Sequence, residues 1–172
     1  MVLKMVEVYK NIFVGNEYDY YRLQEKSEWG ILHCCKQPFH QKFVGYNGNL
    51  PLNHKDYMLK RIDNEMALNM VDMQIFQRNF VGFNKVMFER AFDFLDEYTA
   101  NGKKVLIHCN EGLSRSPTLA MLYLARNGVF DYKDFDTTVK EFKKIYGGYQ
   151  PRANVFLTTK ILWSHFVDKR QK

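Results

Sequence analysis

The stretch that most constrains the fold runs from residue 105 to residue 119 and reads VLIHCNEGLSRSPTL. Its first four residues have the apolar composition of a buried strand, and its last residues begin an apolar helical pattern. A seven-residue loop from Cys109 to Arg115 joins the two, and Gly112 gives it the backbone freedom of a tight turn. Loop N–H groups that converge before a helix N-terminus form an anion-binding site. The stretch therefore predicts an anion site at the end of a buried strand.

The rest of the chain alternates strand-like and helix-like segments, which predicts an α/β fold. We expect a single-domain three-layer sandwich over residues 1–172, with a mostly parallel central sheet flanked by helices. Residues 36–64 lack clear periodicity, so we expect a long, mainly irregular excursion there, and long loops in compact domains often carry function. The predicted strands cover residues 8–14, 29–35, 66–71 and 104–108, and the predicted helices cover 19–28, 83–98, 115–126, a segment capped by Asp134 or Asp136, and 156–167.

The composition indicates the cellular compartment and the substrate charge that such a site would suit. The chain has only three cysteines and opens with charged residues where an export signal would be apolar, so we expect a reducing, cytoplasmic setting in which a free thiol survives. No apolar run is long enough to predict a membrane span. The net charge of +6 comes from residues 103–172, which carry 13 Lys/Arg against 6 Asp/Glu. This excess favours anionic substrates without choosing between phosphoprotein, nucleotide, lipid and RNA.

The residue types in the loop point to phosphoryl chemistry. Loop amides, the helix dipole and Arg115 all favour the thiolate form of Cys109. The guanidinium of Arg115 can grip two phosphoryl oxygens in a fork that lysine cannot copy. A thiolate that attacks phosphorus forms a phosphocysteine, which water then hydrolyses. This chemistry requires neither a metal nor a cofactor.

The sequence His108-Cys109, five residues, Arg115-Ser116 resembles the signature of the protein tyrosine phosphatase superfamily. The surrounding chain is similar to its compact dual-specificity branch, as found in bacteria and viruses, at residues 12–16, 29–35, 66–72 and, more loosely, 146–157. The resemblance implies Cys109 as nucleophile, Ser116 as a hydrogen-bond donor to its sulfur, and His108 as a helper that holds the loop. It implies phosphate binding by the loop residues Asn110, Glu111, Gly112, Leu113, Ser114 and Arg115.

The reaction also needs an acid that protonates the leaving group. The family places an aspartate on a loop some thirty to forty residues before the cysteine. Asp72 follows a predicted strand and lies 37 positions before Cys109, so the resemblance implies Asp72 as the general acid. Asp56 and Asp63 are the alternatives, although neither follows an apolar strand.

Several other residues leave two interpretations open. Cys34 and Cys35 fit a core strand, or one of them is a reserve thiol that traps oxidised Cys109, as in some relatives. The histidines outside the loop show no metal-ligand spacing; His40 and His54 either line the substrate pocket or belong to a plain structural loop. Glu111 carries a charge that opposes phosphate, so we expect its side chain to point away from the bound anion.

A phosphoprotein is the expected substrate and partner, with phosphotyrosine first and phosphoserine or phosphothreonine second. An RNA 5'-triphosphatase is the main alternative, and it would make nucleic acid a less favoured partner. The loop lacks the lysines of phosphoinositide phosphatases, and Ser114 stands where glucan phosphatases usually carry glycine. A binding module without turnover and a rhodanese-like sulfur carrier are the alternatives of a different class.

Overall fold

The computed structural model describes residues 4–131 and 134–167, and a six-stranded sheet lies at the centre of the described chain. The strands are β1 (Val6–Tyr9), β2 (Ile12–Asn16), β3 (Trp29–His33), β4 (Leu59–Ile62), β5 (Glu65–Leu68) and β6 (Lys104–Cys109). Their order across the sheet is β1-β2-β6-β3-β5-β4. The four inner strands are parallel, whereas β1 and β4 pair antiparallel at the edges. The expected mostly parallel sheet is confirmed.

Strand β6 occupies the interior of the sheet and ends at Cys109. It pairs with β2 along its length, with Asn16 opposite Cys109, and with β3, where His33 is opposite His108. Because parallel strands end at the same edge of a sheet, the carboxyl ends of β2, β3 and β6 converge around Cys109. Open α/β sheets bind ligands at this edge.

Helices cover both faces of the sheet, which confirms the three-layer arrangement. Helix α4 packs on β2 and β6, α3 packs on β3, β5 and β6, and α6 contacts both helices from outside. The opposite face carries a smaller cluster that Tyr20 and Leu23 help to cover. The helices are α1 (Glu17–Arg22), α2 (Gln41–Val44), α3 (Phe80–Ala100), α4 (Arg115–Arg126), α5 (Phe135–Ile145) and α6 (Ala153–Phe166).

The inner strands bury side chains on both faces because both faces are covered. Ile31 and Leu106 belong to the small cluster, whereas Leu32, Val105 and Ile107 belong to the large core. This alternation places consecutive residues of a strand on opposite faces. At the end of β6, the side chains of His108 and Cys109 therefore lie on opposite faces of the sheet.

Two segments differ from the sequence prediction in the first third of the chain. Residues 8–14 were expected to form one strand, but a turn at Asn11, with φ of 63°, divides the region into the antiparallel pair β1 and β2. The helix expected over 19–28 ends at Arg22, and a short helical turn at Lys26–Glu28 follows it.

Residues 36–64 are more ordered than the predicted irregular excursion. A wide helical turn at Lys36–His40 leads into α2, and β4 forms the outer edge of the sheet. Helices this short have too few residues to produce an apolar period, and β4 is an edge strand without a buried face. Only residues 45–58 match the expected irregular chain.

The remaining helices agree with their sequence signals. Asp134, and not Asp136, caps α5, accepting the Thr137 N–H at 2.8 Å. Val86 departs from the expected buried stripe of α3 because its side chain is 41% exposed. Within residues 4–131 and 134–167, no helix has both the length and the apolar character needed to cross a membrane.

Candidate active site

Cys109 ends β6 at the carboxyl edge of the sheet, and its residue surface is 1% exposed. Ser116, in the first turn of α4, points its hydroxyl at the cysteine, with Oγ 3.2 Å from Sγ. The same hydroxyl lies 3.3 Å from the carbonyl of Gly15 at the end of β2. The thiol and its hydrogen-bond donor are therefore held by the last residues of two parallel strands and the start of a helix.

The loop between Cys109 and α4 turns its carbonyl groups outward. The hydroxyl of Tyr146 donates to the carbonyl of Gly112 at 2.7 Å, and the N–H of Gln150 donates to that of Leu113 at 2.8 Å. A backbone N–H at the start of α1 binds the carbonyl of Asn110 at 3.3 Å. In a trans peptide the C=O and the following N–H point in opposite directions. The amides that follow these carbonyls therefore point toward the inside of the loop, where an anion would bind.

Gly112 is the position in the loop where only glycine fits. Its φ is 73°, in the left-handed region that side chains disfavour. A Cβ atom there would lie 2.8 Å from the carbonyl oxygen of Gly15. The loop thus packs directly against the backbone of β2.

The side chain of Arg115 closes the loop and is anchored at its tip. Its Nη2 donates to Asn110 Oδ1 at 2.8 Å and its Nη1 to the carbonyl of Met70 at 3.2 Å. Its buried Nε has no hydrogen-bond acceptor among the described residues, and Asp72 Oδ2 lies 3.7 Å away. A guanidinium fixed in this way lies in the loop with donor capacity still available.

Asp72 reaches the loop, as the sequence predicted, through what we call the open-side network: Asp72, Ser114, Arg115 and Arg152. The hydroxyl of Ser114 donates to Asp72 Oδ1 at 2.8 Å and accepts the N–H of Arg152 at 3.0 Å. The other carboxylate oxygen lies 3.7 Å from Nε of both Arg115 and Arg152.

The two alternative acids lie away from the loop. Asp56 pairs with a lysine of β4, and Asp63 lies in the turn before β5, at the opposite edge of the sheet from Cys109.

Glu111 faces solvent, as its charge led us to expect. Its side chain is 62% exposed, and its carboxylate lies 3.8 Å from Nη2 of Arg152. Next to it, an open groove of about 690 Å³ starts at Leu113 and Ser114 and continues past Lys143 and Phe156. The mouth of the loop therefore continues into a mixed polar and apolar surface.

The opposite side of the loop rests on what we call the buried network: Tyr20, His33, Glu65 and His108. His33 Nδ1 lies 2.5 Å from His108 Nε2, and His33 Nε2 lies 2.7 Å from Glu65 Oε2. The hydroxyl of Tyr20 donates to the same carboxylate oxygen at 3.0 Å, and its ring stacks on His108 at 5.2 Å. Both histidines are fully buried. His108 Nδ1 lies 3.4 Å from the carbonyl of Cys109, which links the network to the loop.

Burial governs the ionisation of this network. It lowers the pKa of His33, against the opposing effect of Glu65. It lowers the pKa of His108 well below the usual range, and the neighbouring His33 acts in the same direction. Burial opposes ionisation of Glu65 too, but hydrogen bonds from His33 and Tyr20 outweigh it and hold the pKa of this carboxyl below its ordinary value. The network is thus a carboxylate joined to two neutral imidazoles.

The other cysteines and histidines have structural surroundings. Cys34 and Cys35 are fully buried, and burial raises the pKa of Cys35 to about 12. Both fill the core, while the reserve-thiol alternative stays a prediction. His40 is buried between the hydroxyl of Tyr46, at 2.8 Å, and a backbone carbonyl, at 2.9 Å, so it does not line the site. His54 accepts a backbone N–H of its own loop at 3.1 Å.

Sequence reasoning missed three residues that contact the loop or its supports. Arg152 and Tyr146 lie in the loosely similar stretch 146–157, without a motif to single them out. No sequence pattern indicated a role for Glu65, because carboxylates at the start of a strand are common on protein surfaces. Across the described parts of the chain, no three His, Cys, Asp or Glu side chains converge as they would around a metal ion.

Comparisons with known proteins agree with this geometry. The family model described as "Dual specificity phosphatase, catalytic domain" matches residues 37–152, which is 116 of the 172 residues. Human dual specificity protein phosphatase 5 is 43% identical over 54 residues, 31% of this chain and 14% of that protein. The chain therefore matches only a small part of the length of this relative.

Solved structures show the same fold at low sequence identity. Human DUSP28 superposes with a TM-score of 0.65 and 11% identity, covering 100% of this chain and 98% of that one. PTPMT1, solved in complex with PI(5)P, has a TM-score of 0.63 and 15% identity, covering 96% and 97%. The family match covers more than half of the chain, and the fold and the loop around Cys109 agree with it. The chain therefore belongs to the dual specificity phosphatase catalytic-domain family, a family of cysteine-dependent phosphatases.

Proposed function

We propose that the chain hydrolyses phosphomonoesters of proteins in two steps, through a phosphocysteine on Cys109. The observation that supports this most directly is the hydroxyl of Ser116 at 3.2 Å from the sulfur of Cys109. A hydroxyl in this position has no use in simple anion binding, whereas a thiolate leaving group needs a donor. The loop amides and Arg115 would hold the phosphoryl oxygens during both steps.

In the first step the thiolate of Cys109 attacks phosphorus, and the bond between phosphorus and the ester oxygen breaks. Asp72 supplies the proton that the leaving oxygen takes up. Its position supports this role because Ser114 and two arginines hold the carboxyl group at the loop. The products are the dephosphorylated hydroxyl group and a phosphocysteine.

In the second step a water molecule attacks the phosphocysteine, and the bond between sulfur and phosphorus breaks. The carboxylate of Asp72, having given up its proton, takes one from the water. Ser116 donates its hydrogen bond to the departing thiolate. Inorganic phosphate leaves, and Cys109 and Asp72 return to their starting states.

A phosphorylated protein is the proposed substrate, with phosphotyrosine preferred over phosphoserine and phosphothreonine. Cys109 is only 1% exposed, so an ester on a long, flat aryl group reaches its sulfur more easily than one on a short alkyl arm. The groove beside Leu113 offers both charged and apolar contacts to residues around a phosphorylated side chain. The loop carries no lysine, which disfavours polyanionic lipids and RNA 5'-triphosphates. We propose a cytoplasmic location because Cys34, Cys35 and Cys109 are all free thiols, which a reducing compartment preserves.

The test compares the wild type with Cys109→Ser on a fixed panel at pH 6 with a reductant and a metal chelator. The panel contains para-nitrophenyl phosphate, one peptide phosphorylated on tyrosine, on serine or on threonine, a phosphoinositide, and a 5'-triphosphorylated RNA. We expect hydrolysis of the aryl esters, fastest for the phosphotyrosine peptide, and no turnover by Cys109→Ser. Cys35→Ser, which removes a buried thiol outside the loop, is the matched control and should remain active.

Two outcomes would contradict the proposal in different ways. A wild type that binds vanadate but turns over nothing on the panel would indicate a binding module. Faster turnover of the phosphoinositide or the RNA than of every peptide would keep the mechanism but replace the substrate class.

A further inference from the structure

A second cavity lies beside the segment that leads to Asp72, and we call it the side cavity. It shares no lining residue with the groove at Leu113. Its walls come from the turn after β3, the irregular residues 45–58, the residues before Asp72 and the start of α3. Its volume is about 160 Å³. Because protein cavities of about 150 Å³ can bind a benzene ring, the side cavity has room for one small ring.

Aromatic rings and methionine side chains line the side cavity. The ring of Phe83 lies 5.7 Å from the ring of Tyr57 and 6.2 Å from the ring of Phe80, measured between centroids. Aromatic pairs favour separations of about 4.5 to 7 Å, so a further ring can pack against these three in the same way. Met58 and Met87 also line the cavity, and methionine sulfur contacts aromatic rings favourably. The lining therefore favours a flat aromatic ligand.

Lys36 supplies the charge of the side cavity. Among the described residues that line the cavity, it alone carries a charge at neutral pH. Its ammonium group donates to Oδ1 of Asn49, which also lines the cavity. An ammonium group has three N–H donors, and this contact uses one of them. A carboxylate attached to an aromatic ring would therefore complement both the charge and the aromatic lining.

The backbone of Met70 connects the side cavity to the loop from Cys109 to Arg115. The carbonyl of Met70 accepts the backbone N–H of Lys36 at 2.9 Å and Nη1 of Arg115 at 3.2 Å. The cavity residue that carries the positive charge and the arginine of the loop are thus held by the same carbonyl oxygen.

The residues on either side of Met70 line the side cavity. Asn69 donates its backbone N–H to the carbonyl of Met58 at 2.8 Å, which attaches this segment to the irregular residues 45–58. Val71 lies directly before Asp72 in the sequence. A ligand in the cavity would therefore contact the neighbour of the residue that we propose as the acid.

We propose that the side cavity is a second ligand site, which binds a small aromatic carboxylate, and that this binding lowers kcat without competing with the substrate. The ring packs among the aromatic side chains and against Val71, and the carboxylate pairs with Lys36. A ligand packed against Val71 opposes a shift of Asp72 toward the leaving group. The site goes beyond the proposed function, and only the effect on kcat rests on that function.

Methyl NMR of the protein labelled with ¹³C-methyl methionine tests the site directly. Benzoate is the probe, benzamide has the same shape without the charge, and acetate has the charge without the ring. We expect benzoate to shift the methyl signals of Met58 and Met87 with a Kd of about 1 mM. Met121, which is fully buried in α4 and outside the cavity lining, should not shift. Benzamide should bind about two- to fivefold more weakly, and acetate should shift neither signal.

Binding at the loop from Cys109 to Arg115 has to be separated from binding in the side cavity, because the loop is itself an anion site. The titration is therefore repeated in excess inorganic phosphate, and the shifts of Met58 and Met87 should persist. In steady-state assays on para-nitrophenyl phosphate, saturating benzoate should lower kcat about two- to fivefold and leave KM unchanged.

Lys36→Met is the matched variant, since it removes the ammonium group and keeps the backbone N–H that holds Met70. In this variant benzoate should bind no more tightly than benzamide. Lys42→Met makes the same change at an exposed position of α2 outside the cavity lining, and it should bind benzoate like the wild type. The contrast between benzoate and benzamide in the wild type tests the charge even if Lys36→Met does not fold.

Three binding results would overturn the inference. They are methionine signals that benzoate does not shift, shifts that inorganic phosphate abolishes, and equal benzoate affinity in the wild type and a folded Lys36→Met. Binding that leaves kcat of an active wild type unchanged would overturn the claimed effect on catalysis. The methyl titration needs no turnover, so an inactive wild type that binds benzoate as expected would refute the proposed function and leave the second site standing.

Discussion

The open-side network and the buried network support the same loop with similar chemistry but different geometry. Each contains one carboxylate that accepts a hydroxyl hydrogen bond. In the buried network the nitrogen atoms lie 2.5 and 2.7 Å from their partners, whereas on the open side both arginines lie 3.7 Å from Asp72. In the proposed function the open side is the one that a substrate approaches. There the two arginines contact Asp72 only at ion-pair distance, although Ser114 donates to the same carboxylate at 2.8 Å. This difference shows that the arginines can take up an anionic partner without losing a short hydrogen bond to Asp72.

Asp72→Asn should have the largest effect on kcat and should show most clearly that the open-side network serves catalysis while the buried network serves stability. The amide keeps the contact with Ser114 but cannot supply a proton, so kcat should fall about 10²- to 10³-fold with little change in the unfolding temperature. Steady-state rates on aryl phosphates with leaving groups of graded acidity provide the measurement. The loss should be smallest for the most acidic leaving group; a uniform loss would mean that Asp72 acts by position and not as an acid.

Acid pH should destabilise the fold through the two histidines of the buried network. His33 and His108 have folded-state pKa values below those of an unfolded histidine, so the unfolded chain binds more protons as pH falls below about 6.5. Stability is therefore present above that pH and lost below it, by at most about 1.4 kcal/mol per pH unit for each histidine, and only down to the folded-state pKa of that histidine. Urea unfolding between pH 7.5 and 5 measures the slope.

A control for this slope lies outside the network. His40 is also buried, and burial lowers its pKa as well. His40→Gln should reduce the slope by the contribution of one histidine. A wild type whose stability does not vary over this range would contradict the assignment of neutral buried imidazoles.

Arg152→Ala should have the smallest effect on activity, and it tests whether every member of the open-side network is needed for kcat. The side chain is 37% exposed and its ion pairs are long, so its contribution is at most about 1 kcal/mol. KM for a phosphopeptide should rise by no more than about fivefold, with kcat nearly constant. Arg126→Ala, which removes an arginine paired with Asp96 at the far end of α4, is the control. A kcat loss as large as that of Asp72→Asn would show that Arg152 holds the acid in place.

The loop and the elements around it were predictable from sequence because their signals are local. An apolar run, a seven-residue loop with glycine inside and an apolar helix occupy fifteen consecutive residues, and the fold places them as expected. The strand before Asp72 ends at Leu68, three residues earlier than expected, yet the Asp72 side chain still reaches the loop. The same parallel sheet brings both segments to one edge.

The buried network was not predictable because its members are far apart in the sequence. His33 and Glu65 are separated by 32 residues and His33 and His108 by 75, and they meet through the strand order β6-β3-β5. Considered one at a time, these residues resemble ordinary strand residues, and no local pattern connects them. The same reason accounts for the missed edge strand β4 and the hairpin β1–β2, because pairing between strands decides them and composition does not.

The close approach of Gly15 to Gly112 makes the loop from Cys109 to Arg115 depend on a strand from the first part of the chain. The carbonyl of Gly15 contacts the loop glycine and the hydroxyl of Ser116, across about a hundred residues of sequence. Residues 12–16 lie outside the stretch that the family model matches, although they form one wall of the loop. A shortened chain that keeps every residue of the signature but begins after Asn16 would therefore lack that wall. During refolding, we therefore expect the loop to reach its final shape only after β2 has paired with β6, so recovery of activity should report this long-range pairing.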